Sequence, residues 1–234
     1  MEAKPAGYQP EKSILIPNNP PKYPGGQISL PSGGEITVNI KRTDEVYIHD
    51  ELLKIGKLAI TEDINSEVFS QFRKDLIWCC TKAPNLKQIE VEICSPGGQV
   101  FYGFAFFDLI RRAMREYRVL INTVGEGFMA SMGSIIFQAG HRRLATENSW
   151  YMIHEIKSLR WGDESTSAIV DEGKLLERIQ KERMWKIYQE RSTFTEDDME
   201  HWTRKEWWMD AGEMLKNGLC DEVIDCSLPN LEAE

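Results

Sequence analysis

Two side chains in this sequence have the types and setting of a nucleophile and its base. Ser131 lies in Gly127-Phe128-Met129-Ala130-Ser131-Met132-Gly133, after a β-type run, Arg118–Val124, and just before an apolar segment, Ile135–Ala139. A strand that turns through glycines into a helix presents one side chain at the helix N-terminus. The unbonded N–H groups and positive dipole end there favour a developing negative charge. A serine in that position becomes a nucleophile when a base takes its proton.

Four histidines could supply that base. His49 stands among charged residues, His141 in a basic connection (His141-Arg142-Arg143), and His201 in the acidic run DDMEHW. His154 differs, because it closes an apolar strand, Ser149–His154, that returns toward the sheet soon after Ser131. A third feature is the turn Ser95-Pro96-Gly97-Gly98 at the end of another strand. Successive glycines let backbone approach a bound chain closely and leave N–H groups unblocked. The Gly98 and Met132 N–H groups together could hold an oxyanion.

These residues need a framework of alternating strands and helices. Val46–Ile60 reads as a short strand, a helical or turn segment, and a second strand. Asn65–Cys80 carries Val68, Phe69, Phe72, Leu76 and Ile77 at amphipathic helical spacing, with Ser66 near its start and the Lys82–Asn85 turn closing it. Ile89, Val91 and Ile93 alternate with Glu90 and Glu92, which predicts a strand. After SPGG comes a helix rich in aromatics (Phe101, Phe104, Phe107) that reads as core or as the wall of an apolar pocket. A turn over Arg111–Tyr117 then leads to the strand before Ser131. The alternation over residues 46–154 indicates an α/β domain with a largely parallel sheet. Ser167–Arg191 is a long, charged helical stretch with Leu176, Ile179, Met184, Ile187 and Tyr188 near one stripe. It is expected to project toward another surface. Asp197–Asp225 reads as two shorter helical pieces ending at Gly218, then the strand-like LCDEVI.

Composition narrows the field. A net charge of −9 argues against nucleic-acid binding as the main activity. No apolar run approaches the roughly 18 residues needed to span a bilayer, and the N-terminal residues lack a secretory pattern. Cys79, Cys80, Cys94, Cys220 and Cys226 form no CxxC pair and read as reduced thiols of a cytoplasmic protein. No metal or cofactor is expected. Seven of the ten prolines precede residue 32, so residues 1–42 read as an extended arm, with Gln27–Leu30 and Glu35–Ile40 flanking Ser32–Gly34 like a hairpin. A globular domain is expected over 43–228 and a short tail over 229–234.

The order SPGG, apolar helix, strand, GxxASMG and a strand ending MIH resembles the peptidase subunit of the caseinolytic (Clp) protease family. The resemblance runs from about Tyr47, in YIHDELLKIGKLAI, to about Asp225, in NGLCDEVID. It implies a crotonase-like α/β fold with a projecting long helix used in oligomer contacts. It also implies a serine endopeptidase acting on unfolded or extended polypeptides, as a homo-oligomer of seven-membered rings, stacked in pairs and fed by an AAA-type ATPase unfoldase. By position, Ser131 matches the nucleophile, His154 the general base, and Gly98 with the Met132 backbone the oxyanion donors. Counting back from GLCD, Glu206 falls where the family has the triad aspartate, and Asp210 is the competing acid. The segment after His154, EIKSLRWGDEST, keeps only Gly162 of the family's glycine-rich ring–ring contact, which makes a double ring less secure than the site. The alternatives are a catalytically silent subunit of a mixed ring, a phage capsid or scaffold maturation protease, and an acyl-CoA enzyme on the same fold. A Ser/Lys signal-peptide peptidase is disfavoured because an anchor segment is lacking and a histidine is present.

Overall fold

The Ile89–Ile93 alternation becomes an inner strand of the main sheet. In the computed structural model, which describes residues 26–29, 35–38, 44–83, 86–157, 165–198 and 205–227, that strand is β4 (Gln88–Ser95), and Ile89, Val91, Ile93 and Ser95 are its buried positions. The described residues fall into two compact units, Met1–Asp50 and Glu51–Glu234. In the first, β1 (Gly26–Ser29) pairs antiparallel with β2 (Glu35–Val38), in accord with the hairpin expected there. The extended arm expected for the earlier residues, and the tail 229–234, lie outside the described residues.

The chain enters the second unit through helix α1 (Asp44–Lys54), followed by β3 (Lys57–Ile60). The strand expected at Val46 is therefore a helix. Its β-branched residues favour a strand only weakly, and the run Asp50-Glu51-Leu52-Leu53-Lys54 continues a helix well. The other elements are α2 (Ser66–Thr81), α3 (Val100–Tyr117), β5 (Leu120–Ala130), α4 (Met132–Phe137), β6 (Arg143–Thr146) and β7 (Trp150–Ile153). After α5 (Thr166–Ile179) come a π-helical segment (Gln180–Met184), α6 (Trp185–Gln189), β8 (Trp207–Asp210), α7 (Ala211–Lys216) and β9 (Glu222–Ile224).

Strands run in the order β3-β4-β5-β6-β9, all pairs parallel, with β7 added parallel to β5 and β8 antiparallel to β7. This is the expected α/β fold with a largely parallel sheet. Helices α2 and α3 pack against each other through Phe106, whose ring lies 5.2 Å from Phe69 and 5.0 Å from Phe72. The aromatic helix is thus mainly core, although Phe101 stays exposed.

Three local expectations are corrected. Arg111–Tyr117 belongs to α3, which stops only at Arg118 in a left-handed conformation (φ 54°). Residues Gly125–Ala130 are strand, not turn: β5 pairs first with β6 through Thr123–Gly125 and then with β7 through Phe128–Ala130. A register shift against β4 between Ile93 and Ser95 bends the strand between those two pairings. Within Asp197–Asp225, expected as two helical pieces, residues 196–198 are helical, 199–204 lie outside the described residues, an unexpected strand occupies Trp207–Asp210, and α7 supplies the second piece.

The long stretch near Ser167–Arg191 divides physically. No residue of α5 is buried, whereas Met184, Trp185 and Tyr188 are. Its C-terminal part is anchored in the core and its N-terminal part stands off it. Among the described residues no helix is long and apolar enough to cross a membrane.

Candidate active site

The pairing of β5 with β7 carries Ser131 to His154. Ala130 sits beside Met152 in the parallel ladder, and the Ser131 N–H donates to the Met152 carbonyl at 2.9 Å. Two residues later β7 has ended, and His154 Nε2 lies 2.8 Å from Ser131 Oγ. The two residues, 23 apart in sequence, are within hydrogen-bond reach.

Ser131 is held in an unfavourable backbone conformation, φ 54° and ψ −121°. L-residues other than glycine rarely adopt it, and such strain costs on the order of 1–3 kcal/mol where the surroundings enforce it. Here a hydrogen-bonded scaffold does so. The Ser131 carbonyl accepts from the Ser134 N–H at 3.0 Å and from Ser134 Oγ at 2.5 Å. Ser134 Oγ also bonds the buried Tyr188 hydroxyl at 2.7 Å, and the Tyr151 hydroxyl donates to the Ser134 carbonyl at 2.9 Å. Glycine accepts this conformation freely. Ser131→Gly is therefore expected to be more stable than Ser131→Ala by about 1–2 kcal/mol in denaturant melts. Equal midpoints would mean that the turn carries no strain.

Facing the serine is the SPGG turn. Gly97 has φ 94°, and a Cβ there would lie 2.7 Å from the Ser131 Cβ and 2.8 Å from the Met132 nitrogen. Gly98 has φ 146°, with the Ile64 carbonyl oxygen 2.5 Å from any added Cβ. Both positions need glycine, for conformation and for clearance. The parallel bridge here uses the Gly97 carbonyl and the Gln99 N–H, bonded to Ile64 at 2.7 and 2.8 Å, and leaves the Gly98 N–H out of it. Met132 opens α4, so its N–H has no acceptor within the helix. The two expected oxyanion donors thus flank Ser131 on separate segments.

The outer nitrogen of the imidazole is less well served. His154 Nδ1 is buried and has no hydrogen-bond partner among the described residues. Strand β8 runs antiparallel to β7 with Ile153 opposite Trp207, so one more step of the register sets Glu206 opposite His154. Its carboxylate, however, accepts from Lys157 Nζ at 3.0 Å. The competing acid, Asp210, is engaged elsewhere. It caps α7, accepting the Glu213 N–H at 2.8 Å while Glu213 returns a bond to the Asp210 N–H. Glu206 is the carboxylate beside the histidine, and Asp210 is a helix cap.

Electrostatics act on both members of that pair. Burial pulls the His154 pKa below its ordinary value, and the Lys157 charge adds to this against the opposing pull of Glu206 and Glu155. Hydrogen bonding to Lys157 holds the exposed Glu206 carboxyl below the usual range. The segment after His154 is tied down by Gln180, whose Oε1 accepts the Ile156 N–H at 2.9 Å. Of the four histidines, His154 is the one hydrogen-bonded to Ser131 among the described residues. His49 is in α1, His141 follows α4 on the surface, and His201 lies outside the described residues. Sequence reasoning missed Lys157, Gln180, Tyr151 and Tyr188. Only the five-residue step from Ile179 to Met184 hinted at the irregular helix that presents Gln180.

A family model described as Clp protease matches residues 41–227, most of the chain. The chain belongs to the Clp protease family. Among curated relatives of this Clp-family protein are three ATP-dependent Clp protease proteolytic subunits. The one from Pleurastrum terricola is 32% identical over 78% of this chain and 90% of its own length. That from Streptococcus mutans is 28% identical over 76% and 89%, and that from Deinococcus radiodurans 26% identical over 80% and 89%. A solved ClpP1 mutant from Listeria monocytogenes superposes with a TM-score of 0.63 at 24% identity, covering 76% of this chain and 96% of that one. The fold is accordingly the crotonase-like α/β fold of the Clp peptidases.

Proposed function

We propose that this Clp-family chain is a serine endopeptidase acting through Ser131 and His154. The observation that carries the reading is the 2.8 Å approach of His154 Nε2 to Ser131 Oγ at a turn faced by two obligatory glycines. His154 takes the Ser131 proton as Oγ attacks a peptide carbonyl, and the Gly98 and Met132 N–H groups receive the oxyanion. His154 then protonates the leaving amine, and water releases the acyl-enzyme by the reverse sequence. Glu206 is the acid of the set, accepting from Nδ1 once its carboxylate turns to the ring.

The substrate class is extended polypeptide, laid along strand edges by backbone hydrogen bonds. The outer face of the β7–β8 pair places exposed Trp150 and Trp208 along that path. Family membership supports assembly as a cytoplasmic ring of identical subunits, singly or stacked, with the unburied α5 making contacts between subunits and an AAA-type ATPase delivering substrate. A fluorophosphonate probe followed by peptide mapping tests the site: the adduct should fall on Ser131, and an adduct elsewhere overturns the assignment.

Because the base works only when neutral, a depressed His154 pKa keeps it competent at lower pH. The acid limb of kcat/KM on a short peptide is expected to fall below pH 6.5, the ordinary histidine value. A limb at or above that value contradicts the electrostatic picture.

One observation favours a second reading, the silent subunit of a mixed ring. His154 Nδ1 lacks a partner among the described residues, and Glu206 is engaged by Lys157. Peptide turnover by the purified chain alone separates the two, since a silent subunit needs a partner.

A further inference from the structure

His154 has a hydroxyl on one ring nitrogen and no described partner on the other, while the carboxylate set opposite it by the strand register is occupied by a cation. That combination is local and specific. Lys157 follows His154 by three residues on a segment pinned through Ile156 to Gln180, so its ammonium can reach across to Glu206. The strand register sets that same Glu206 opposite the imidazole. Glu206 Oε1 is turned to Lys157 Nζ while Nδ1 has no partner among the described residues, so in this arrangement the carboxylate serves the lysine and not the ring.

We propose that Lys157 is a positioning residue that holds Glu206 off His154, so that the strength of the base is set by which of the two cationic partners the glutamate serves. The inference rests on the peptidase reading for its catalytic consequence, though not for its geometry.

The chemistry follows from the tautomer. To accept the serine proton at Nε2, the neutral ring must carry its proton on Nδ1. With no acceptor at Nδ1, the ring gains by carrying the proton on Nε2 and donating it to Ser131 Oγ, which is the inactive arrangement. A carboxylate at Nδ1 reverses that preference and stabilises the imidazolium formed during attack. The charged groups facing His154 are Glu155 and Lys157 from its own segment and Glu206 from the segment entering β8. Of these, only Lys157 opposes the imidazolium. The lysine and glutamate side chains are 60% and 48% exposed, and exposed ion pairs of this kind are weak, so the hold is easily undone.

Lys157→Met keeps the stem of the side chain and removes its charge at a solvent-facing position, where folding is not at stake. Two readouts apply: the pH dependence of Ser131 modification by a fluorophosphonate, and the titration of the His154 ring by NMR, assigned with His154→Asn. In Lys157→Met the modification rate at neutral pH is expected to rise about tenfold, and both the acid limb and the ring titration should move to higher pH. Adding Glu206→Gln to Lys157→Met should reverse all three changes, and Glu206→Gln should shift the ring titration more in the Lys157→Met background than in the parent. The proposal is overturned if Lys157→Met leaves the ring titration in place, or if Glu206→Gln has the same effect in both backgrounds. Absence of any Ser131 adduct, in every variant, would count against the peptidase reading alone, because the ring titration still decides the role of Lys157.

Discussion

Ser131→Ala is expected to reduce peptide turnover by roughly 10³–10⁶-fold while leaving the melting behaviour close to that of the parent chain. The size follows from the division of labour at the site. On the peptidase reading the hydroxyl is the group that bonds to substrate, and without it the flanking N–H groups can bind a carbonyl but cannot build an acyl-enzyme. His154→Ala should fall in the same range and should not add to the serine change in the double variant, since the two act as one unit. Steady-state hydrolysis of a fluorogenic peptide, with probe labelling in parallel, checks both. Turnover within about tenfold of the parent in Ser131→Ala would sink the mechanism.

Asp221→Ala is expected to be strongly destabilising, costing about 3–5 kcal/mol. Arg143 is only 2% exposed, yet it carries a full charge. Its Nη2 meets Asp221 Oδ1 at 2.8 Å, its Nε meets Oδ2 at 3.2 Å, and its backbone N–H donates to Oδ2 at 2.8 Å. Gln138 Oε1 accepts from Nη1, and Arg191 shares the same aspartate at 2.7 Å. Removing Asp221 strands a buried guanidinium, which costs far more than an apolar replacement of both partners would. Arg143→Met should therefore be milder than Asp221→Ala, because Asp221 keeps Arg191 and some water. Burial works to raise the Asp221 pKa, but bonding to Arg143 outweighs it and holds the carboxyl below 3.8. A depressed acid stabilises the fold above its unfolded value and loses that contribution as pH falls through the folded one. The parent should thus soften only below about pH 4, and Asp221→Ala should lose that acid step. Chemical melts across pH measure it, and a loss under about 1 kcal/mol at neutral pH would refute the account.

Much of the site was legible because its signals are local. Glycines on either side of Ser131, the SPGG turn and the apolar run ending at His154 each reflect a backbone need that sequence displays directly. The alternation in β4 was visible for the same reason, since one face of that strand is buried. What stayed hidden depends on partners far away in sequence. Arg143 reads as part of a basic connection until Asp221, just before the neighbouring strand β9, accounts for its burial. Strand β8 is short, rich in tryptophan and followed at once by a helix, so only its pairing with β7 gives it an identity. Counting back from GLCD already favoured Glu206 over Asp210, and the structure adds a capping box that occupies Asp210 and a register that sets Glu206 opposite His154. Lys157 carried no signal at all, because a lone lysine after an apolar strand is ordinary.

The π-helical segment has a bearing on how relatives can differ in length. A π turn accommodates one residue more than an α turn, and each residue turns the helix by about 100°. Deleting one residue within Gln180–Met184 would give an uninterrupted rod and swing α5 around its axis by that angle, while Tyr188 kept its seat against Ser134. The outward arm could thus be re-aimed by a single-codon change that leaves the sheet untouched.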